Sequence, residues 1–200
     1  MAQSDVSICN LALFRIGHSQ RINSLNEASV PAELCKVIYP IARDRLLEDF
    51  DWSFARKRVA LASVGDPPTN WDYQYQYPSD CLKARAIVYE GDRAPTASNR
   101  IPFEVTANTV NEGKAICCDL EEAELIYTAY VTSTALFTPS FDDALAWAIA
   151  LELVMPLSRD AKFATLAAQQ LPVAVQKAQA LDANERQTDY PTSELINARN

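Results

Sequence analysis

Paired carboxylates are the usual equipment for general acid and base work, and this chain has three sets: Asp49 with Asp51, Asp142 with Asp143, and Glu121-Glu122 with Glu124. A glycosidase needs two carboxyls roughly 5–9 Å apart across a cleft, which closeness in sequence does not establish. Each set also has a plain structural reading, respectively a helix end, the first turn of a helix and a solvated strand edge. Trp71, Tyr73, Tyr75 and Tyr77 alternate with polar residues. Such a row serves either as a platform for a sugar ring or base, or as core and subunit interface. Carboxylates and aromatics together make a small hydrolase of host-surface polysaccharide one reading of the chain. The others are a structural assembly component and a stand-alone binding module.

Other chemistries are harder to build from these residues. The single histidine, His18, follows the glycine expected to end the first helix and reads as an exposed loop residue. Zinc sites made from two or three histidines are therefore excluded, and a Ser-His-Asp triad has only His18 to use. Five cysteines, Cys9, Cys35, Cys81, Cys117 and Cys118, show no CxxC spacing. They read as buried thiols, with the adjacent Cys117 and Cys118 on opposite faces of a strand. Four glycines are too few for a phosphate-cradling loop, and neither nucleotide fingerprint is present. No catalytic, cofactor or metal residue is assigned, and no cofactor is expected.

A formal net charge of −8 repels phosphate backbones and anionic lipid. The basic cluster Arg43, Arg45, Arg56, Lys57 and Arg58 lies among Asp44, Glu48, Asp49 and Asp51. That alternation reads as a solvated or inter-subunit face and not as a nucleic-acid patch. The first residues lack the basic start and apolar stretch of a signal peptide, and no apolar run approaches the roughly 18 residues of a membrane span.

The periodicity predicts elements of two kinds. Ser4 caps a first helix whose face is Ile8, Leu11, Ala12 and Ile16, ended by Gly17. A polar connector leads to a second helix from Ser29, with Pro31 in its first turn and Pro40 bending it, closing at Trp52 and Phe54. A short apolar run at 59–62 is followed by a strand over 71–77 and three or four further strands over 83–89, 101–106, 114–120 and 124–131, with Asn111-Glu112-Gly113 as a hairpin turn. Helical spacing returns at Ser140, paired with Asp143 as a capping box, and its stripe is Phe141, Ala144, Leu145, Ala148, Leu151 and Met155. The last helix, from Asp160 to Ala183, is kinked or divided at Pro172 and turns Phe163, Leu166, Leu171, Ala174, Ala178 and Leu181 inward.

The expected fold class is therefore α+β: a helical bundle built from N- and C-terminal helices, with an inserted small antiparallel β subdomain and an extended C-terminal tail. The divisions are 1–58 for the first helices, 59–133 for the β subdomain, 134–183 for the last helices and 184–200 for the extension. The extension is too polar to fold by itself, yet Tyr190, Leu195 and Ile196 are anchors that a purely solvating tail does not need. Surplus association features in a chain without a committed catalytic constellation point to an assembly component.

The ordered set of residues also resembles a family. It runs Cys9-Asn10-Leu11-Ala12-Leu13-Phe14-Arg15-Ile16-Gly17, then Ile22-Asn23-Ser24-Leu25-Asn26-Glu27, then Tyr39, Arg43-Asp44 and Leu46-Leu47. It continues in Trp52-Ser53-Phe54-Ala55, Arg58, Leu61, the aromatic strand with Pro78 and Asp80-Cys81-Leu82, Phe141, Ala144-Leu145-Ala146, and Ala180, Asp182-Ala183 and Glu185. In that order these resemble the head-tail adaptor of short-tailed phages, the tail tubular protein A family. The resemblance implies a virion structural protein, assembled in the host cytoplasm, that forms a dodecameric ring beneath the portal. It also implies contacts with the portal protein and with the tail nozzle, tail tubular protein B, and a lumen that passes DNA during ejection. By the same analogy Tyr190, Leu195 and Ile196 bind the portal or a neighbouring subunit, and Trp71 and Tyr73 contact a subunit or the nozzle. No membrane partner is expected.

Overall fold

The computed structural model describes residues 4–91, 100–108 and 113–185. Among them lie four α-helices, α1 (Asp5–Arg15), α2 (Val30–Asp49), α3 (Pro139–Leu153) and α4 (Ala161–Asn184). Six strands fall between α2 and α3: β1 (Arg56–Ala60), β2 (Tyr73–Gln76), β3 (Cys81–Val88), β4 (Phe103–Ala107), β5 (Lys114–Cys118) and β6 (Glu124–Ala129). The fold is α+β with two small antiparallel sheets, ordered β1-β6-β3 and β2-β5-β4.

Local chemistry places the helix starts. Ser4 Oγ accepts from Ser7 N at 3.2 Å, Ser29 Oγ from Ala32 N at 3.4 Å, and Asp160 Oδ1 from Lys162 N at 2.8 Å. The capping box expected at Ser140 is replaced by Thr138, whose Oγ1 accepts from Phe141 N at 3.3 Å while Pro139 takes the first helical position. Proline fits there because its absent N–H would have had no helical partner. Neither internal proline divides its helix: α2 runs through Pro40 and α4 through Pro172.

α3 lies at the centre of the helical layer, in one apolar cluster with α1, α2 and α4. It buries Phe141, Ala144, Ala146, Ile149, Ala150 and Leu153 around most of its circumference. The single stripe expected from spacing is therefore corrected, and Met155, assigned to it, is exposed. Helical periodicity names one face, whereas a helix packed against several neighbours has no outward side to distinguish. On α4 the inward residues are Ala167, Ala174, Ala178 and Asp182, while Leu166 and Leu181, expected inside, are exposed. Small alanines let α4 approach α3 closely and leave the larger leucines on its flanks.

Aromatic residues close the layer near the β strands. Trp52 is fully buried, donates Nε1–H to Leu46 O at 2.7 Å and meets Phe141 edge-on with ring centroids 5.0 Å apart. Phe54 packs on Phe141 and Phe137. Buried Asp182, on the last turn of α4, accepts from Ser53 N at 3.0 Å and Ser53 Oγ at 2.7 Å. It thereby secures the turn that carries the chain from α2 into β1. Asp182→Ala leaves these donors without their carboxylate, and the expected cost is about 2 kcal/mol in a denaturant midpoint. Gly17 ends α1 with φ +76°, and a Cβ added there falls 2.9 Å from the Phe163 ring. Gly17→Ala is therefore expected to cost about 1–2 kcal/mol from its left-handed backbone alone, with ring displacement adding to it, measurable in the same titration.

The two sheets face each other across a second core. Along β6, Leu125, Tyr127 and Ala129 point into it with Ile87, Ile116, Cys118 and Tyr75. Ile126 joins Ala86 and Val88 on the other side of its sheet. This is the period-2 alternation of a paired strand. Cys117 and Cys118 occupy opposite faces of β5, as expected: Cys118 enters the inter-sheet core, and Cys117 lies beside Gln74 and Thr106. All five cysteines are buried and free. β4 and β5 pair with Ala107 opposite Lys114, and Asn108 N donates to Gly113 O at 2.9 Å, which makes them the two arms of the expected hairpin. Asn111 and Glu112 of its turn lie outside the described residues.

Candidate functional site

The aromatic strand turns mainly inward. Tyr75 is buried and donates its hydroxyl to Leu120 O at 2.7 Å. Tyr73 stacks on Tyr75 at 6.3 Å and both belong to the inter-sheet core. Trp71 and Tyr73 keep partial exposure at the end of the sheet, and their surroundings are acidic. Trp71 Nε1 donates to Glu104 Oε2 at 3.0 Å, and Asp72 N donates to Asp119 Oδ1 at 3.1 Å. The nearby Glu121 carboxylate pushes the Tyr73 phenol up, and shallow burial adds to it. These two aromatic rings thus sit in a negative rim suited to neutral or basic surfaces.

The remaining predicted anchors, Tyr190, Leu195 and Ile196, lie outside the described residues.

The carboxylate sets are occupied separately. Asp51 pairs with Arg56 at 3.4 Å, Asp143 with Arg15, and Glu124 with Arg58. Asp142 and Asp143, neighbours in sequence, point apart on α3: Asp142 is 3% exposed with its Oδ1 unpartnered, and Asp143 reaches Arg15 at the surface. Burial raises the Asp142 carboxyl to about 6. His18, expected as an exposed loop residue, is half-buried, and its Nε2 has no partner. Its backbone N–H closes the end of α1 by donating to Leu13 O at 3.0 Å, which holds the residue against the helix and not out in a free loop.

Each member of the basic cluster has an acidic companion. Arg43 pairs with Asp44 at 2.7 Å, Arg45 with Glu152 at 3.1 Å, Lys57 with Asp80 at 2.6 Å, Arg56 with Asp51 and Arg58 with Glu124. The Lys57 ammonium holds the Asp80 carboxyl below the ordinary carboxylate range, helped by the Tyr127 hydroxyl donating at 2.9 Å. Asp80 thereby joins β1 and β6, while its backbone oxygen accepts from Tyr130 N at 2.9 Å.

With this geometry in place, the chain can be compared with known proteins. No family model matches it, and no curated protein does. Several of the residues singled out in the sequence hold the fold together. Asn10 grips Ile22 through both backbone groups at 2.9 Å, fixing the connector after α1. Trp52, Phe54 and Phe141 form the aromatic closure, Asp80 ties two strands, and Asp182 holds Ser53. Among the described residues there is no group of three metal-ligating side chains, and no helix is long and apolar enough to cross a membrane.

Two residues with no role assigned from the sequence join distant elements. Arg85 on β3 reaches the carboxyl end of α2, and Arg15 on α1 lies over the Trp147 ring of α3 at 4.1 Å. An arginine within a strand gives no local sign of a distant carbonyl cluster, so no signal in the sequence would have selected Arg85.

Proposed function

We propose that this protein is a structural head-tail adaptor of a short-tailed phage, with twelve copies closed into a ring between the portal and the tail nozzle. The helices act as a bundle that carries the sheets as an inserted subdomain. Trp71 and Tyr73 lie at the subunit or nozzle contact, and Tyr190, Leu195 and Ile196 engage the portal or a neighbouring copy. The reading starts from the ordered resemblance. It is supported by one observation above others: large apolar side chains stand exposed on two separate helices of an acidic chain. They are Val37 and Ile41 on α2, and Leu166, Val173 and Leu181 on α4. Exposed apolar surface of this kind marks association, and a closed ring of identical subunits needs two different patches on each copy.

The charge pattern suits a passage for DNA. Arg45, Arg56, Lys57 and Arg58 are each offset by a carboxylate, which lowers the grip that free cations exert on phosphate. The lumen is accordingly negative or mixed in sign. The deciding experiment images the protein with and without purified portal and measures its native mass. Rings seated on the portal are expected; a permanent monomer that ignores the portal overturns the proposal, and a lumen lined mainly by those four cations overturns its electrostatic part.

A further inference from the structure

α2 and α4 each carry an apolar stripe on the side turned away from the shared core. On α2 it is Val30, Val37 and Ile41, with Val37 61% exposed. On α4 it is Leu166 and Val173, the latter 58% exposed, with Leu181 at its edge. Seven residues make nearly two helical turns, so Val30 and Val37 stand one above the other, as do Leu166 and Val173. The buried residues of the same helices, Cys35, Tyr39 and Leu46 on α2 and Ala174 and Ala178 on α4, belong to the cluster around α3. Both stripes therefore face outward.

The charges along the two stripes are opposite in sign. Exposed Lys162 and Lys177 lie four residues from Leu166 and Val173 respectively. On α2, exposed Glu33 precedes Val37 by four residues and exposed Glu48 follows Ile41 by seven. Among the described residues Glu33, Lys162 and Lys177 belong to no ion pair, and Glu48 has only a 3.8 Å pair with Lys83. Asp44 and Arg45, which flank the α2 stripe, are already paired with Arg43 and Glu152.

These charges select one way of packing the two helices. With the helices antiparallel and Val37 opposite Val173, Glu33 meets Lys177 four residues from that centre and Glu48 meets Lys162 eleven residues from it. One register thus serves both pairs. Run parallel, the same centre sets Lys177 against Ile41 and carries Lys162 past the start of α2. We propose that α2 of one copy packs antiparallel on α4 of the next copy through these stripes. The proposal rests on the ring reading only in taking a second copy of this chain as the partner. Equal spacing and opposite charge on one polypeptide favour that occupant, since each stripe supplies what the other lacks. Because the two stripes differ, the contact is head-to-tail, and every copy keeps one stripe free for a further neighbour until the assembly closes.

The test uses the full chain carrying Val37→Cys and Val173→Cys, both at exposed positions, oxidised with diamide alone and on purified portal; the five native cysteines are buried. A ladder of disulfide-linked oligomers is expected, with residue 37 joined to residue 173 in peptide mass mapping, and neither single variant gives one. Glu33→Lys and Lys177→Glu are each expected to weaken self-association about fivefold in sedimentation equilibrium, and the two together to restore it. Rings that form without the bridge, or bridged dimers from Val37→Cys alone, overturn this pairing and leave the ring reading standing. Bridged oligomers that never close support the pairing and overturn the ring, and a chain monomeric even on portal overturns both.

Discussion

Arg85→Ala is expected to lower the stability of the chain by about 3 kcal/mol, read as a fall in Tm of roughly 6–12 °C for a protein of this size. One guanidinium nitrogen, Nη2, donates to Glu48 O at 2.8 Å and Phe50 O at 2.6 Å, with Leu47 O at 3.3 Å. Nε donates to Thr128 Oγ1 at 2.8 Å on the neighbouring strand. The last carbonyls of a helix have no partner within it and carry the negative end of its dipole, so a cation there satisfies both needs. No basic residue of α2 itself occupies its last turn. Truncation leaves several carbonyls at the joint between helix and sheet without their donor. Arg85→Lys is expected to recover less than half of the loss, because an ammonium cannot reproduce the planar fork that serves α2 and Thr128 together. Differential scanning calorimetry of the two variants measures both effects, and an alanine variant within 1 °C of the parent contradicts this role.

Asp142→Asn is expected to act in the opposite direction and only over part of the pH range. Burial raises the folded-state pKa to about 6 from an ordinary value of 3.8. Because the folded pKa lies above the unfolded one, ionisation of Asp142 opposes folding. The penalty is absent below pH 3.8, grows as pH rises towards 6 and is complete above it. At a rate of about 1.4 kcal/mol per pH unit, the shift corresponds to a stabilisation of the asparagine variant approaching 3 kcal/mol at pH 8. Its position in the first turn of α3 offsets a few tenths to 1 kcal/mol through the helix dipole. Urea denaturation from pH 4 to pH 8 should show the variant and parent closest at the acid end, separating steadily between pH 4 and pH 6 and holding a constant gap above that. A gap independent of pH removes ionisation as its cause.

The parts of the fold that were legible in the sequence depend on local chemistry. Ser4, Ser29 and Asp160 cap helices because a short side chain with an acceptor oxygen reaches backbone N–H groups that no helical carbonyl can serve. The strand over Tyr73–Gln76 follows from two-residue alternation, and strands occur in each of the four regions expected after it. What escaped notice depends on contacts between distant segments. Leu166 and Leu181 obey the same spacing as buried leucines, but the alanine face of α4 packs closer to α3 and prevails. Likewise Arg85 and Asp182 owe their importance to partners 35 and 129 residues away. The aromatic row was legible as a strand, whereas the division of its rings between interior and acidic rim required the second sheet.

The pairing of β1 with β6 sets Arg56 opposite Thr128 and Ala60 opposite Glu124. The polypeptide thus leaves the helices for its strands and comes back to them at adjoining points, and the ties from Arg85 to the end of α2 and from Asp182 to Ser53 fasten that junction from both sides.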